Sequence, residues 1–445
     1  MHDTYGHVIR TGPDNLAFSS LSAFEAIYGF NRAIEKGNFY DFGRDAHTQE
    51  GSIFSARTDA THREHRRKVV GPALLTSKVA SYEPIISRNT SILLSRLTDA
   101  RSSSEDASTV NVAPYIHRYT FDTLIEIVYG ELICPQPYTD TKAARNVLTG
   151  FRDLSKLAWA AALLPWFGWL MSTRPMVALT RRPTYDPEGN LRSIAALAAN
   201  TRDLTFAHPE KVLQSTQPSI LKNFLQVPPT DPKHMSPSQI WRECFNLAFA
   251  GPGSTAAALT ATLYDLGSNP RGPGWQTRIR ADLRATAASA SSLTSSPVLV
   301  AVLKESMRLH APFPTAFPRE IRPGAESAIP TLLAPLPVGT IVFANPYILS
   351  RSKEIWGADA EEWRPERWLD TGAEGEGRRL DDKFVVFSKG SRGCVGREIA
   401  MLVLARAVAG LLGRWELTAT APLKGYNFLE MQYEECWIKF SELSG

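Results

Sequence analysis

The sequence predicts a mainly α-helical fold with small β-sheets, built as a single large domain over residues 1–445. Three observations predict it. Between about Ser22 and Ser268 the pattern of apolar residues is mostly helical, broken by polar or Pro-rich loops at 101–108, 181–190 and 227–237. Strand-like pieces are short, around 7–10, 17–19 and 340–344 and again at the end of the chain. No repeat and no linker divides the chain, and 43% hydrophobic with 21% charged residues suffices for a sizeable core.

The elements follow in order. Ser236 is a capping residue with Pro237 at the first helical position, and a long apolar helix is expected from there to about Leu266. A second helix spans 297–310 and stops before the Pro-rich run Ala311-Pro-Phe-Pro-Thr-Ala-Phe-Pro. An irregular stretch, 356–394, then runs into a Gly-rich loop, and a helix is expected over 395–412. A structureless stretch of that length belongs in a compact domain only where it wraps a functional site.

Forty-nine basic against 45 acidic residues give a net charge of +4, too small to argue for nucleic acid. Cys134, Cys244, Cys394 and Cys436 are far apart, which disfavours a disulfide framework or a zinc site. The N-terminus has no basic and apolar signal-peptide regions. No stretch reaches the roughly 18–20 apolar residues of a membrane span. The nearest, 157–173, is interrupted by Pro165 and Gly168 and reads as a broken helix pair facing membrane or substrate, or as a core helix.

The segment Phe387-Ser-Lys-Gly390-Ser-Arg392-Gly393-Cys394-Val-Gly396 carries the strongest chemistry. A free thiol ionises near pH 8.5, so a thiolate ligand needs backbone N–H groups and a helix N-terminus aimed at the sulfur. Glycines at 390, 393 and 396 would let the backbone turn to present them. This F-x-x-G-x-R-x-C-x-G spacing resembles the haem-ligand loop of the cytochrome P450 family, and the likeness extends over essentially the whole chain. The resemblance implies a P450 fold enclosing haem b (iron protoporphyrin IX), with Cys394 as the iron's thiolate ligand, Phe387 packed beneath it and Arg392 on a haem propionate.

Other segments carry the resemblance further. Glu305-Ser-Met-Arg308 is similar to the family's E-x-x-R helix motif, and Pro365-Glu-Arg367-Trp368 to its PERF segment. Glu305, Arg308 and Arg367 are then expected to form a buried charge network that holds the loop without doing chemistry. His62-Arg-Glu-His-Arg66 matches the family's W/H-x-x-x-R pattern, which makes His62 and Arg66 propionate contacts, the alternative being a solvated basic helix face. Arg319 stands where the family places another propionate-binding arginine, the alternative being a surface charge.

The long helix contains Ala250-Gly251-Pro252-Gly253-Ser254-Thr255 where the family usually reads A-G-x-(D/E)-T-(T/S). Gly253 stands at the acid position and Ser254 at the threonine position. Pro252 is expected to open the helix and leave carbonyls free. Gly251, Ser254 and Thr255 are the candidate catalytic positions.

The resemblance implies a monooxygenase that inserts oxygen from O2 into a hydrophobic small molecule, in the manner of fungal microsomal members serving secondary metabolism. The missing acid keeps open oxidative coupling, ring closure or rearrangement, desaturation, or peroxide or nitric oxide chemistry, and a haem sensor is the minor alternative. No Gly-rich dinucleotide fingerprint is present, so electrons are expected from NADPH-cytochrome P450 reductase, docking near Lys389 and Arg397, with Arg406 and Arg414 extending the patch. Fungal microsomal members carry an N-terminal anchor that this sequence lacks. The expected location is the cytosolic face of the endoplasmic reticulum membrane if an anchor has been trimmed, and otherwise the cytoplasm. The substrate pocket is expected at 53–54, Phe249, 313–317 and 428–431.

Overall fold

The computed structural model describes residues 1–443 apart from 31–33, 44–50, 103–107, 134–141, 174, 177–192, 286–289, 330–333 and 370–375. Cys134, the expected loop at 181–190 and most of that at 101–108 lie outside the described residues. The principal helices are α1 (Leu21–Tyr28), α2 (Asp59–Ala73), α3 (Glu83–Ser102), α4 (Ala113–Tyr129), α5 (Lys142–Leu163), α6 (Pro165–Ser172), α7 (Ile194–Phe206), α8 (Pro237–Ser268), α9 (Gly272–Ala285), α10 (Pro297–Leu309) and α11 (Arg397–Leu412). The strands are β1 (Val8–Gly12), β2 (Asn15–Phe18), β3 (Thr109–Asn111), β4 (Arg319–Glu320), β5 (Ile341–Ala344), β6 (Trp415–Ala419), β7 (Lys424–Phe428), β8 (Glu430–Glu435) and β9 (Trp437–Glu442).

Among the described residues three small sheets flank the helices, in the orders β1-β2-β5-β4, β3-β9-β6 and β7-β8. β3 interrupts the helical half because Thr109–Asn111 pairs antiparallel with β9, a long-range partner that local pattern cannot reveal. α8 is the axis of the core and packs most extensively on α4. Its start is fixed by a full capping box between Ser236 and Gln239, with Pro237 where no N–H is needed. α10 begins in the same way, Ser296 accepting from Leu299 N–H ahead of Pro297.

Several expectations need correction. Residues 356–394 are not structureless: they hold a 3-10 turn at Pro365–Trp368 and a helix at Glu376–Lys383. The helix after Cys394 begins at Arg397, since Val395 and Gly396 still belong to the loop. Pro252 does not interrupt α8, and the Ala250 and Gly251 carbonyls are taken by Ser254 Oγ at 2.9 and 3.2 Å. The break in the apolar segment falls at Leu164–Pro165, while Gly168 stays inside α6. Trp166 and Trp169 are 64% and 70% exposed there, beside exposed Leu163 and Leu164. No helix among the described residues is long and apolar enough to cross a membrane.

Candidate functional site

A cavity of about 1450 Å³ lies between α8 and the Gly-rich loop. Cys394 is deep in the molecule, yet its side chain is exposed because it opens onto this cavity. The loop is closed by the Cys394 N–H donating to Phe387 O at 2.9 Å. Gly390 has φ +70°, and a Cβ there would lie 2.6 Å from Gly29 O, so only glycine fits. Gly393 and Gly396 have φ of −62° and −90°, so the expectation that all three glycines serve the turn holds at Gly390 alone. At Gly396 a Cβ would meet nothing within 4 Å and would project toward the cavity.

The Cys394 thiol is pushed up by burial, while hydrogen bonds from the Gly396 and Arg397 N–H groups and the charges of Arg66 and Arg397 pull against that. Arg66 Nη1 donates to Gly393 O at 2.9 Å and so ties α2 to the loop. His62 is buried on the same helix, its Nε2 3.2 Å from Ser391 O and its Nδ1 3.4 Å from Lys36 Nζ. Burial, then the charges of Lys36 and Arg392, drive its pKa down to about 2, so the ring is neutral. A neutral ring with both nitrogens engaged braces the loop. The solvated-face alternative does not apply to His62.

Lys36, Arg319 and Arg392 all line the cavity. Lys36 Nζ donates to Ile53 O and Phe54 O at 3.0 and 2.8 Å. Arg392 Nη1 donates to Ile34 O at 2.8 Å, and Arg319 donates to the Tyr40 hydroxyl. Arg319 is buried, so the surface-charge alternative falls. The Nε atoms of Arg319 and Arg392 are buried without a partner among the described residues. Burial, then the charges of Arg319 and Arg392, hold the Lys36 amine far below its ordinary range, and Arg392 is lowered by burial and by Arg319. Two guanidinium groups and an amine that a neighbouring anion would keep protonated suit a buried dianion, and the sulfur on the same cavity suits a metal. The residues therefore fit haem: Arg319, Arg392 and Lys36 would hold its two propionates and Cys394 its iron. Lys36 escaped the sequence reading because a single lysine outside any motif carries no signal.

The charge network stands behind this loop. Glu305 receives Arg308 through Nε and Nη2, both at 2.9 Å, and Arg367 Nε and Trp368 Nε1, also at 2.9 Å. Glu305 and Arg308 are fully buried and Arg367 is 5% exposed, as expected. Arg308 Nη1 also reaches Ser350 O and Ala360 O at 2.6 Å, joining α10 to the segment that leads into the loop.

On the opposite wall Gly251, Ser254 and Thr255 line the cavity from α8. Ile53, Phe54, Phe249, Phe313, Phe317 and Leu429 line it too, whereas Phe428 and Met431 do not. Phe387 lines the cavity next to Cys394 and stacks under the Arg397 guanidinium at 5.7 Å. Glu430, inside the expected 428–431 stretch but given no chemical role by the sequence, also reaches the cavity. On the outer face Lys389 is paired with Glu25 and Arg406 with Glu83, which reduces the expected basic patch.

The comparisons agree with this geometry. Residues 1–427 match the family profile described as Cytochrome P450. The chain is 27% identical to cytochrome P450 monooxygenase mpaDE of Penicillium roqueforti, over 95% of this chain and 49% of that protein. It is 27% identical to cytochrome P450 monooxygenase cicH of Emericella nidulans over 96% of this chain and 84% of the relative. The chain thus spans about half the length of the first curated relatives it matches and most of the length of others. Among solved structures, retinoic acid bound cyanobacterial CYP120A1 superimposes with a TM-score of 0.75 at 18% identity, covering 99% of this chain and 93% of that one. The profile match, the shared fold and a cavity suited to a dianionic metal cofactor place the chain in the cytochrome P450 family, with haem as its cofactor.

Proposed function

We propose that the protein is a monooxygenase that inserts one atom of O2 into a hydrophobic small molecule, in fungal secondary metabolism. The observation that carries the reading is the cavity, where a cysteine faces out beneath an apolar chamber and a cation cluster flanks it. In this reading the cofactor is haem b, and Cys394 would hold its iron through the sulfur. Haem bound there supplies dioxygen and one-electron chemistry.

The chain's own residues do the rest. Gly396 and Arg397 N–H groups and the N-terminus of α11 steady the sulfur as an anion. Lys36, Arg319 and Arg392 would hold the two propionates, while His62 and Arg66 keep the loop in register with α2. Phe249, Phe313, Phe317 and Leu429 exclude water and orient an apolar substrate. NADPH-cytochrome P450 reductase delivers the electrons. Exposed Trp166 and Trp169 on α6, the second of which also lines the cavity, rest on the endoplasmic reticulum membrane.

The test is turnover with reductase and NADPH under isotopically labelled dioxygen, over a panel of fungal metabolites. Label in the product is expected. Unlabelled product formed at full rate would instead favour coupling, ring closure or desaturation, the reading that the absence of a carboxylate at Gly253 supports.

A further inference from the structure

The β7–β8 hairpin ends in a tight turn at Leu429, a non-glycine residue with φ +69°. That backbone is unfavourable for a residue with a side chain and persists only where the surroundings impose it. It is held by the Met431 N–H donating to Pro312 O at 2.9 Å. Its effect is to send the next side chain, Glu430, inward against α8. Glu430 is 6% exposed and lines the same cavity as Ser254 and Thr255.

The carboxyl comes to rest at Gly253. A Cβ on Gly253 would overlap Glu430 Oε1 and Cδ outright and lie 2.6 Å from Oε2. The carboxyl thus occupies the space that a side chain at position 253 would fill, the position where the helix lacks its acid. Ser155 Oγ on α5 donates to Glu430 Oε1 at 3.3 Å. Among the described residues the charge acting on Glu430 is that of Arg152 on α5. Arg152 donates to Gln432 Oε1 and the Tyr426 hydroxyl and lies 3.8 Å from a Glu434 carboxylate oxygen. His117 on α4, held neutral by burial, is hydrogen-bonded to Tyr433 O of the same hairpin. On β7 the Tyr426 hydroxyl donates to Gln432 Oε1, and α8 meets the carboxyl at Gly253.

We propose that Glu430 is the proton-delivering acid of this enzyme, supplied by the C-terminal hairpin across Gly253 in place of an acid on the helix. The inference rests on the monooxygenase reading above. Substrate R–H, O2, two electrons from NADPH through the reductase and two protons give R–OH and water. Glu430 breaks its O–H bond to pass a proton to the oxygen that leaves as water, and the carboxylate regains one from solvent. Burial raises its pKa to about 8, so the group carries a transferable proton at neutral pH.

The experiment uses the haem-loaded protein and needs no substrate. Difference infrared spectra of wild type against Glu430→Gln should show a protonated-carboxyl band at pH 6 that fades toward pH 9. The C–O stretch of carbon monoxide on the reduced protein should shift in Glu430→Gln, since a distal donor has been altered. With reductase and NADPH, Glu430→Gln should release several-fold more hydrogen peroxide per NADPH consumed than wild type. The double variant Gly253→Glu with Glu430→Ala, which returns the acid to the helix, should restore the wild-type ratio. A carboxyl ionised throughout pH 6–9, or an unchanged carbon monoxide stretch and peroxide ratio, overturns the proposal and leaves Glu430 as a packing or substrate-amine contact. Failure of the monooxygenase reading itself shows separately, as unlabelled product from the wild type.

Discussion

Glu430 and Gly253 only make sense together. In the sequence Gly253 reads as a deletion of chemistry, because the residue that fills its place arrives from a distant hairpin and no spacing rule connects the two. The pairing has a stability consequence. Glu430 is raised from an ordinary value of 4.5 to about 8 by burial, with Ser155 and Arg152 pulling back. A carboxyl whose folded pKa is raised contributes stability that is fully present below pH 4.5 and is lost as pH rises to about 8, a difference of a few kcal/mol. Melting temperatures of the holoprotein should therefore fall from pH 5 to pH 8 more steeply for wild type than for Glu430→Gln, with the gap widest at pH 8. Parallel curves would place the carboxyl in contact with solvent. Lys36 makes a comparable case, a buried amine crowded by two arginines. Replacing it by Met should make the apoprotein more heat-resistant yet speed haem loss to apomyoglobin several-fold. A variant that lost both properties would deny it a propionate role.

At the scale of elements, the loop at 387–396 and the helix α10 were the legible parts. Cys394, Gly390, Glu305, Arg308 and Arg367 sit in short motifs whose spacing encodes one local geometry each, and the structure brings them together at the expected places. The path of α8 was legible from its cap and its apolar run, but its response to Pro252 was not. Ser254 takes up the carbonyls expected to be free, and packing against α4 carries the helix through. β3 was not legible because its partner, β9, closes the chain. The network behind the loop should behave as one unit. Glu305→Ala leaves two buried guanidinium groups without their carboxylate, which typically costs about 3–5 kcal/mol. Purified Glu305→Ala should retain little haem and melt many degrees lower, whereas an intact haem content would mean that the loop is held by other contacts.

For the molecule as a whole, the described residues frame a chamber between the Gly-rich loop, backed by the Glu305 network, and α8, α4 and the terminal hairpin. Leu163 at the end of α5, Leu164 between the helices, and Trp166 and Trp169 on α6 are exposed, an apolar ridge on a chain whose net charge is only +4. Vesicles of endoplasmic reticulum composition should bind the protein, and changing Trp166 and Trp169 to Ser together should weaken binding by roughly tenfold or more, given the area two indoles bury. Equal sedimentation of both proteins with vesicles would move the membrane contact elsewhere.

The account turns on Cys394 as the thiolate beneath the cation-lined cavity. Its most direct test is the absorption spectrum of the reduced, carbon monoxide-bound protein beside that of Cys394→Ala reconstituted with haem. Wild type should show the red-shifted Soret band of thiolate ligation, and Cys394→Ala should lack it while still binding haem through its propionates. A red-shifted band that persists in Cys394→Ala, or that never forms in the wild type, would contradict the assignment.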